Sequence, residues 1–288
     1  KLNPVVFRGY DIRGVVDVDL DEEGYYTLGR AYATFLAQRR ISESTIGHDN
    51  RLTSEVYARA FERGLNDGGI DTIFLGLSLS QIVYFSAYEF KTKGFAMITA
   101  SHNPKEFNGL KLGCGYSETM VTEEIMYVKK LVEDGKFVKG KGKRRNVDVF
   151  PSYKQDILKH FSLKKKWKVV VDACNTTSGM FYPTLLREAG CEVIEQNTTL
   201  DGNFPLGASD PTEVHVLERL AKGVKKAKAD LGFAYDADGD RMAVVDEKGG
   251  ILWMDTIVAI FAKDILDYLP GAKIVYNALC SRQVTEAI

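Results

Sequence analysis

Two periods of hydrophobic and polar positions alternate along the first part of the chain. Between residues 21 and 39, Tyr26, Leu28, Ala31, Phe35 and Leu36 recur near helical spacing behind Asp21, a good N-cap, and predict a helix. Thr45-Ile46-Gly47-His48-Asp49 predicts a short strand running into a polar turn, with Arg51 next. Thr53-Ser54 reads as the cap of a helix over residues 54–67, stopped by Gly68-Gly69. An apolar, β-rich run over 70–77, a helix over 79–90 and a buried strand over 94–99 follow. This β-α-β-α-β alternation predicts an α/β layered domain with a largely parallel sheet.

After residue 99, Asn108-Gly109 is a turn signal between apolar residues and predicts a hairpin, with Lys111 on a strand returning beside the preceding loop. A helix over 122–132 starts with Thr122 as cap, with Glu124 in its first turn. Residues 135–146 are rich in lysine, arginine and glycine, which marks a linker or solvated hairpin, and the first domain boundary is placed just after it. The second unit opens with a helix over 151–161, then a buried strand at 167–172, a helix to Ala189 and a strand at 192–194. Residues 197–211 read as loop, Thr212 as the cap of a helix to Ala227, and Leu231–Tyr235 and Val244–Asp246 as strands. A helix over 255–268, a strand at 273–276 and a helix starting at Ile288 are expected in the remainder.

The composition is ordinary for a globular protein: 288 residues, 45% hydrophobic and 27% charged. A formal net charge of −1 supplies no global pull toward nucleic acid or an anionic membrane. The four cysteines, Cys114, Cys174, Cys191 and Cys280, are far apart and form no C-x-x-C pair. With the size, this favours a reducing cytoplasm over a disulfide scaffold. No apolar run reaches the roughly 18–20 residues of a membrane span, and no signal-peptide pattern opens the chain. The first residue is Lys1 rather than methionine, which reads as a start that was trimmed or not included.

Three stretches carry candidate chemistry. Thr99-Ala100-Ser101-His102-Asn103-Pro104 places a hydroxyl and an imidazole on a loop stiffened by an X-Pro bond at a strand end. That suits group transfer; an ordinary polar turn fits equally well. Near the start, Arg8, Asp11 and Arg13 lie between glycines. The arginines can approach a phosphate, but locally a surface hairpin with solvated charges is preferred. Finally, Asp236-Ala237-Asp238-Gly239-Asp240-Arg241 alternates three carboxylates at a strand end. Crowded carboxylates repel unless a cation neutralises them, and hard oxygen ligands suit Mg²⁺. An EF-hand would match Asp236, Asp238, Asp240 and Glu247, but Arg241 stands where its glycine belongs. A haloacid-dehalogenase-type phosphatase would use Asp236 as nucleophile and Asp238 beside it, normally near the first strand of a domain. An exposed acidic turn is the remaining reading.

Together these stretches resemble the α-D-phosphohexomutase superfamily, in its phosphomannomutase/phosphoglucomutase branch. Tyr10-Asp11-Ile12-Arg13-Gly14 is similar to the branch's opening motif, Thr99–Pro104 to its phosphoserine loop and Asp236–Arg241 to its metal loop, with Asn108-Gly109-Leu110-Lys111 in the expected place. The resemblance implies consecutive three-layer α/β/α domains with mixed, largely parallel sheets: a phosphoserine-loop domain (1–148), a metal-loop domain (149–250) and the incomplete start of a sugar-binding domain (251–288). It implies interconversion of hexose 1-phosphate and hexose 6-phosphate through a phosphoserine at Ser101 and a hexose 1,6-bisphosphate. Mg²⁺ would be held by Asp236, Asp238, Asp240 and a phosphoserine oxygen of Ser101. Arg13, Lys111 and Arg241 are candidates for stabilising charge, and His102 or Lys111 for moving a proton. The chain departs from the family in lacking the sugar-recognition loop of the third domain and the phosphate loop of the fourth. It also has Leu279 where a lysine precedes Cys280-Ser281-Arg282, and Cys174-Asn175-Thr176 in place of a Gly-Asn-Gly turn. A truncated mutase with little turnover is therefore expected; a Mg²⁺-dependent sugar phosphatase and a non-enzymatic sugar-phosphate-binding module are the alternatives.

Overall fold

Strand β4 (Gly94–Ile98) shows how the first unit is layered. Its five side-chain positions are all buried. Phe95 and Met97 pack on one side with Val83 and Ala87, while Ala96 and Ile98 join a larger core on the other. Alternation along a pleated strand buried on both faces requires this. The computed structural model describes residues 2–160 and 162–288.

In chain order the first unit contains β1 (Ile12–Val15), α1 (Glu22–Gln38), β2 (Glu43–His48), α2 (Ser54–Asp67), β3 (Asp71–Leu77), α3 (Ser80–Glu89), β4, β5 (Phe107–Cys114), α4 (Thr122–Asp134) and β6 (Arg144–Asn146). Its six-stranded sheet runs β1-β5-β4-β2-β3-β6. The strands from β4 to β6 in that order are parallel, and β1 and β5 complete the other edge through antiparallel pairings. The second unit contains α5 (Phe150–Leu158), β7 (Lys168–Asp172), α6 (Ser178–Glu188), β8 (Glu192–Gln196), α7 (Val214–Ala227), β9 (Leu231–Tyr235), β10 (Met242–Asp246) and β11 (Ile251–Leu252). Its sheet runs β11-β10-β9-β7-β8, with β7, β8 and β9 parallel. Val216, Leu217, Leu220 and Val224 of α7 cover one face, packing with Val170, Ala234 and Val245. Tyr182 and Leu186 of α6 pack with Val169, Val171 and Tyr235 on the other. Helices α8 (Met254–Tyr268) and α9 (Gln283–Ala287) follow. No helix among the described residues is long and apolar enough to cross a membrane.

Several local expectations are corrected. Asn108-Gly109 is not a turn but lies inside β5. The buried Asn108 amide donates to Thr53 Oγ1 (2.9 Å) and Ser54 Oγ (3.0 Å), so tertiary partners override the turn signal. The hairpin reverses instead through residues 99–106, between β4 and β5. Thr53 therefore caps nothing: its hydroxyl serves Asn108, and α2 starts without a side-chain cap bond. At α4 the cap position is Val121, whose N–H donates to Glu124, and at α7 it is Glu213, because Thr212 gives its hydroxyl to Asp210. The basic stretch 135–146 is more than a linker, since Arg144–Asn146 form β6, parallel to β3. Residues 273–276 are not a strand; Val275 is 94% exposed and pairs with no sheet. The last helix spans Gln283–Ala287 rather than starting at Ile288. The helix expected over 151–161 is α5, and residue 161 lies outside the described residues.

Helices α1 and α2 approach backbone to backbone through Gly29 and Gly64. A Cβ on Gly29 would stand 2.2 Å from the Phe61 carbonyl oxygen, and one on Gly64 would stand 2.3 Å from that of Tyr26. Gly29→Ala is therefore expected to force the helices apart and cost about 1–3 kcal/mol. Urea unfolding of the two proteins would check it; an unchanged midpoint would contradict this packing.

Candidate active site

In the first sheet, the connection leaving β2 runs to β3 on one side, and the connection leaving β4 runs to β5 on the other. The carboxyl ends of β2 and β4 are neighbours at this reversal of strand order, where α/β sheets open a crevice. The loops that leave these two ends meet there. The loop after β4 carries Ser101, 2% exposed, in the left-handed region at φ +52°. The loop after β2 carries Asp49 and Arg51, both buried.

Arg51 organises the serine loop. Its Nη1 donates to the carbonyls of Pro104 (2.7 Å) and Phe107 (2.9 Å), and its Nη2 to those of Ser101 (2.8 Å) and Asn103 (2.7 Å). Its Nε donates to Asp49 Oδ2 at 3.1 Å, which balances the buried charge. Asp49 Oδ2 also accepts from Thr99 Oγ1 (2.7 Å), which in turn accepts from the Ser101 N–H (2.8 Å). A planar guanidinium with five fixed donors can bind this many carbonyls at once; an ammonium cannot. From β1, Arg13 adds bonds to Asn103 Oδ1 (2.9 Å) and the Ala100 carbonyl (3.4 Å), and pairs with Asp11 at 2.5 Å. The solvated surface hairpin expected around Asp11 and Arg13 is thus overturned, since both are over nine-tenths buried against the serine loop. Arg8 alone of that group is exposed.

The aspartate loop arrives from the second unit, between β9 and β10, turning on Gly239 at φ +74°. Strands flank it, which excludes an EF-hand, and Asp236 and Asp238 are fully buried, which excludes an exposed acidic turn. The Ser101 hydroxyl donates to Asp236 Oδ2 at 2.6 Å, and the Arg241 N–H donates to Asp236 Oδ1 at 3.1 Å. Lys111, on β5, bridges Asp238 Oδ2 (2.5 Å) and Asp240 Oδ2 (2.6 Å). His102 sits half-buried with Nδ1 3.2 Å from Ser101 Oγ. The guanidinium of Arg241 lies apart, 45% exposed and 3.9 Å from Asp210. The structure therefore brings together Ser101, His102, Lys111, Asp236, Asp238 and Asp240; Arg13 reaches them through the loop backbone, and Arg241 mainly through its own.

The electrostatics follow from burial and crowding. Burial pushes the Asp236 carboxyl well above the usual range, and the Asp238 and Asp240 charges add to this. Burial acts the same way on Asp238, but the Lys111 ammonium outweighs it and holds that carboxyl at about 2. Burial lowers His102, and Arg241 and Arg13 lower it further. The three carboxylates each offer an oxygen within 4.8 Å of the others. Asp238 Oδ1 is buried with no hydrogen-bond partner. One ammonium against three carboxylates leaves a deficit of positive charge, and an all-oxygen donor set of this kind fits a hard divalent cation.

Sequence reasoning did not single out Asp49, Thr99, Ser80 or Tyr182 as site residues, and gave Arg51 no role. Asp49 and Arg51 had a usable signal, being charged residues at the exit of a buried strand. Ser80 Oγ donates to Asp238 Oδ2 (2.6 Å) across the two units, and Tyr182 Oη to the Gly239 carbonyl (2.6 Å) within the second, contacts between residues far apart in the chain that no local pattern announces. Arg51→Ala would strand Asp49 without its partner and release the loop. A loss of about 3–5 kcal/mol is expected in denaturant unfolding, with faster amide exchange over residues 99–107; exchange confined to global unfolding would contradict the clamp.

Comparison with known proteins agrees with this geometry. The chain matches "Phosphoglucomutase/phosphomannomutase, alpha/beta/alpha domain I" over residues 4–139 and domain II of the same family over residues 151–250. It is 34% identical to a phosphomannomutase/phosphoglucomutase of Pseudomonas syringae pv. tomato, over 100% of this chain and 62% of that protein. It is 35% identical to the Pseudomonas aeruginosa protein of the same name, over 98% of this chain and 61% of that protein. A crystal structure of a phosphoglucomutase/phosphomannomutase family protein from Burkholderia thailandensis superposes with a TM-score of 0.94 at 30% identity, covering 100% of this chain and 65% of that one. The chain thus spans about three-fifths of the length of the curated relatives it matches. With both domain matches in chain order and the serine and aspartate loops facing each other between them, the chain belongs to the phosphoglucomutase/phosphomannomutase family.

Proposed function

We propose that this chain supplies the phosphoryl-carrying and cation-binding part of a phosphohexomutase. The reaction is interconversion of hexose 1-phosphate and hexose 6-phosphate, with Ser101 as phosphoryl carrier and a hexose 1,6-bisphosphate as the bound intermediate. The observation that carries this reading is the 2.6 Å bond from the Ser101 hydroxyl to Asp236, which sets that hydroxyl against the carboxylate cluster. Asp236, Asp238 and Asp240, with an oxygen on Ser101, would hold Mg²⁺, which when bound neutralises charge on a transferring phosphoryl group. Lys111, held by Asp238, and Arg13, held by Asn103 of the serine loop, place fixed positive charge near Ser101, where charge spreads over the phosphoryl oxygens. The guanidinium of Arg241, 45% exposed at the mouth of the aspartate loop, is accessible to a substrate phosphate. His102 Nδ1 lies 3.2 Å from the serine oxygen, whose own proton is given to Asp236, and is placed to donate a proton to that oxygen.

One feature weighs against a phosphatase with Asp236 as nucleophile. One oxygen of Asp236 accepts from Ser101 and the other from the Arg241 N–H, so neither is directed at a substrate. The four cysteines are unpaired, which accords with a cytoplasmic setting.

Incubating the chain with glucose 1,6-bisphosphate and Mg²⁺ is expected to add one phosphoryl group, mapped by mass spectrometry to Ser101. Ser101→Ala should abolish the addition. A phosphoryl group on Asp236, or none on either, would sink the serine-carrier reading. In a coupled glucose 6-phosphate assay the 288-residue chain is expected to fall well under about 1 s⁻¹, because the further two-fifths of its relatives' length is not supplied. Full turnover would contradict this.

A further inference from the structure

Helix α3 belongs to the first unit, yet its first turn is bonded to the aspartate loop of the second. Its N-cap residue is Leu79, which offers no side-chain acceptor. The Ser80 N–H instead donates to the Asp238 carbonyl at 2.9 Å, so the second unit's backbone satisfies a donor that a helix start leaves open. The Ser80 hydroxyl, fully buried, donates to Asp238 Oδ2 at 2.6 Å. Lys111 Nζ, which reaches the same carboxylate oxygen, is also 3.3 Å from Ser80 Oγ. One residue further on, Gln81 Nε2 donates to the Gly239 carbonyl at 2.9 Å and also to the Tyr182 hydroxyl, which bonds that carbonyl too.

We infer that Ser80 is a positioning residue for the aspartate loop, acting from the other unit. By holding Oδ2 and the main chain of Asp238, it fixes the rotation of the carboxylate. The oxygen left over, Oδ1, is the buried atom without a partner. Ser80, together with Lys111 on the same oxygen, thereby sets which oxygen of Asp238 is presented to a cation. A ligand carboxylate is commonly oriented by such an outer hydrogen bond, and losing it weakens metal binding roughly 10–100-fold. The effect on cation affinity rests on the cation site proposed above; the effect on the loop does not.

The test compares the 288-residue chain with its Ser80→Ala and Ser80→Thr variants. In EDTA, amide hydrogen exchange of residues 238–241 is expected to rise about ten-fold in Ser80→Ala, the scale of a lost hydrogen bond to a charged group. Ser80→Thr, which keeps the hydroxyl, should stay near the parent. Exchange unchanged in Ser80→Ala overturns the inference, as does exchange that rises equally along all of α3 with no rescue by threonine. Titration with Mn²⁺, followed by calorimetry, should show binding weakened roughly ten-fold or more in Ser80→Ala and restored in Ser80→Thr. Equal or tighter binding by Ser80→Ala overturns the role toward the cation. A parent chain that binds no Mn²⁺ removes the cation reading of the loop itself, and the exchange comparison then decides whether Ser80 positions it.

Discussion

The buried guanidinium of Arg51 is the constraint on which the site depends. Taking a cation out of water is costly unless it is paired and its donors are met, and Arg51 meets both conditions within one loop cluster. Asp49 balances the charge, and four carbonyls of residues 101–107 take the remaining donors. Three of those carbonyls, of Ser101, Asn103 and Pro104, belong to a chain reversal with no ladder of its own, and the fourth to the first residue of β5, so side-chain bonds substitute for secondary structure up to the strand. The serine is held without any need for its own side chain to be spent on support, which leaves the hydroxyl free for Asp236.

The second dependence is between the two units. Neither holds a complete site: one brings the serine and Lys111, the other the three aspartates. The boundary is knit by Ser101 to Asp236, Ser80 to Asp238 and Gln81 to Gly239, with Asn50 and Thr177 bonded to each other nearby. These polar groups of the candidate site lie on the boundary between the units beside an apolar cluster in which Leu79 and Ile82 pack with Val149 and Phe181, so a change in the relative placement of the units would alter the distances around Asp236 and Asp238.

The elements were legible in the sequence where burial and period agree. The β-rich runs at β3, β4, β7 and β9 and the helices α1 and α2 lie close to where the hydrophobic pattern places them. The Ser101 and Asp236–Arg241 loops were legible because each joins unusual side chains to a strand end. What escaped was set by distant partners. Asn108-Gly109 has the chemistry of a turn, but Thr53 and Ser54 recruit its side chain into a strand. Thr53 and Thr212 have the chemistry of caps but are engaged elsewhere. Arg13 looked solvated because the loop that buries it lies about ninety residues away in the chain. The run 135–146 carried the signs of a linker, and only the open edge of β3 makes part of it a strand.

The left-handed backbone at Ser101 bears on which hydroxyl amino acid can stand there. At φ +52° an L-residue tolerates a short, unbranched side chain, whereas a second heavy atom on Cβ collides with the adjoining peptide units. Threonine and serine are chemically near-equivalent as phosphoryl acceptors, but they are not sterically equivalent at this point of the chain. The geometry of the loop thus acts as a filter on the genetic alphabet: it favours one alcohol over its methylated homologue before any question of reactivity arises.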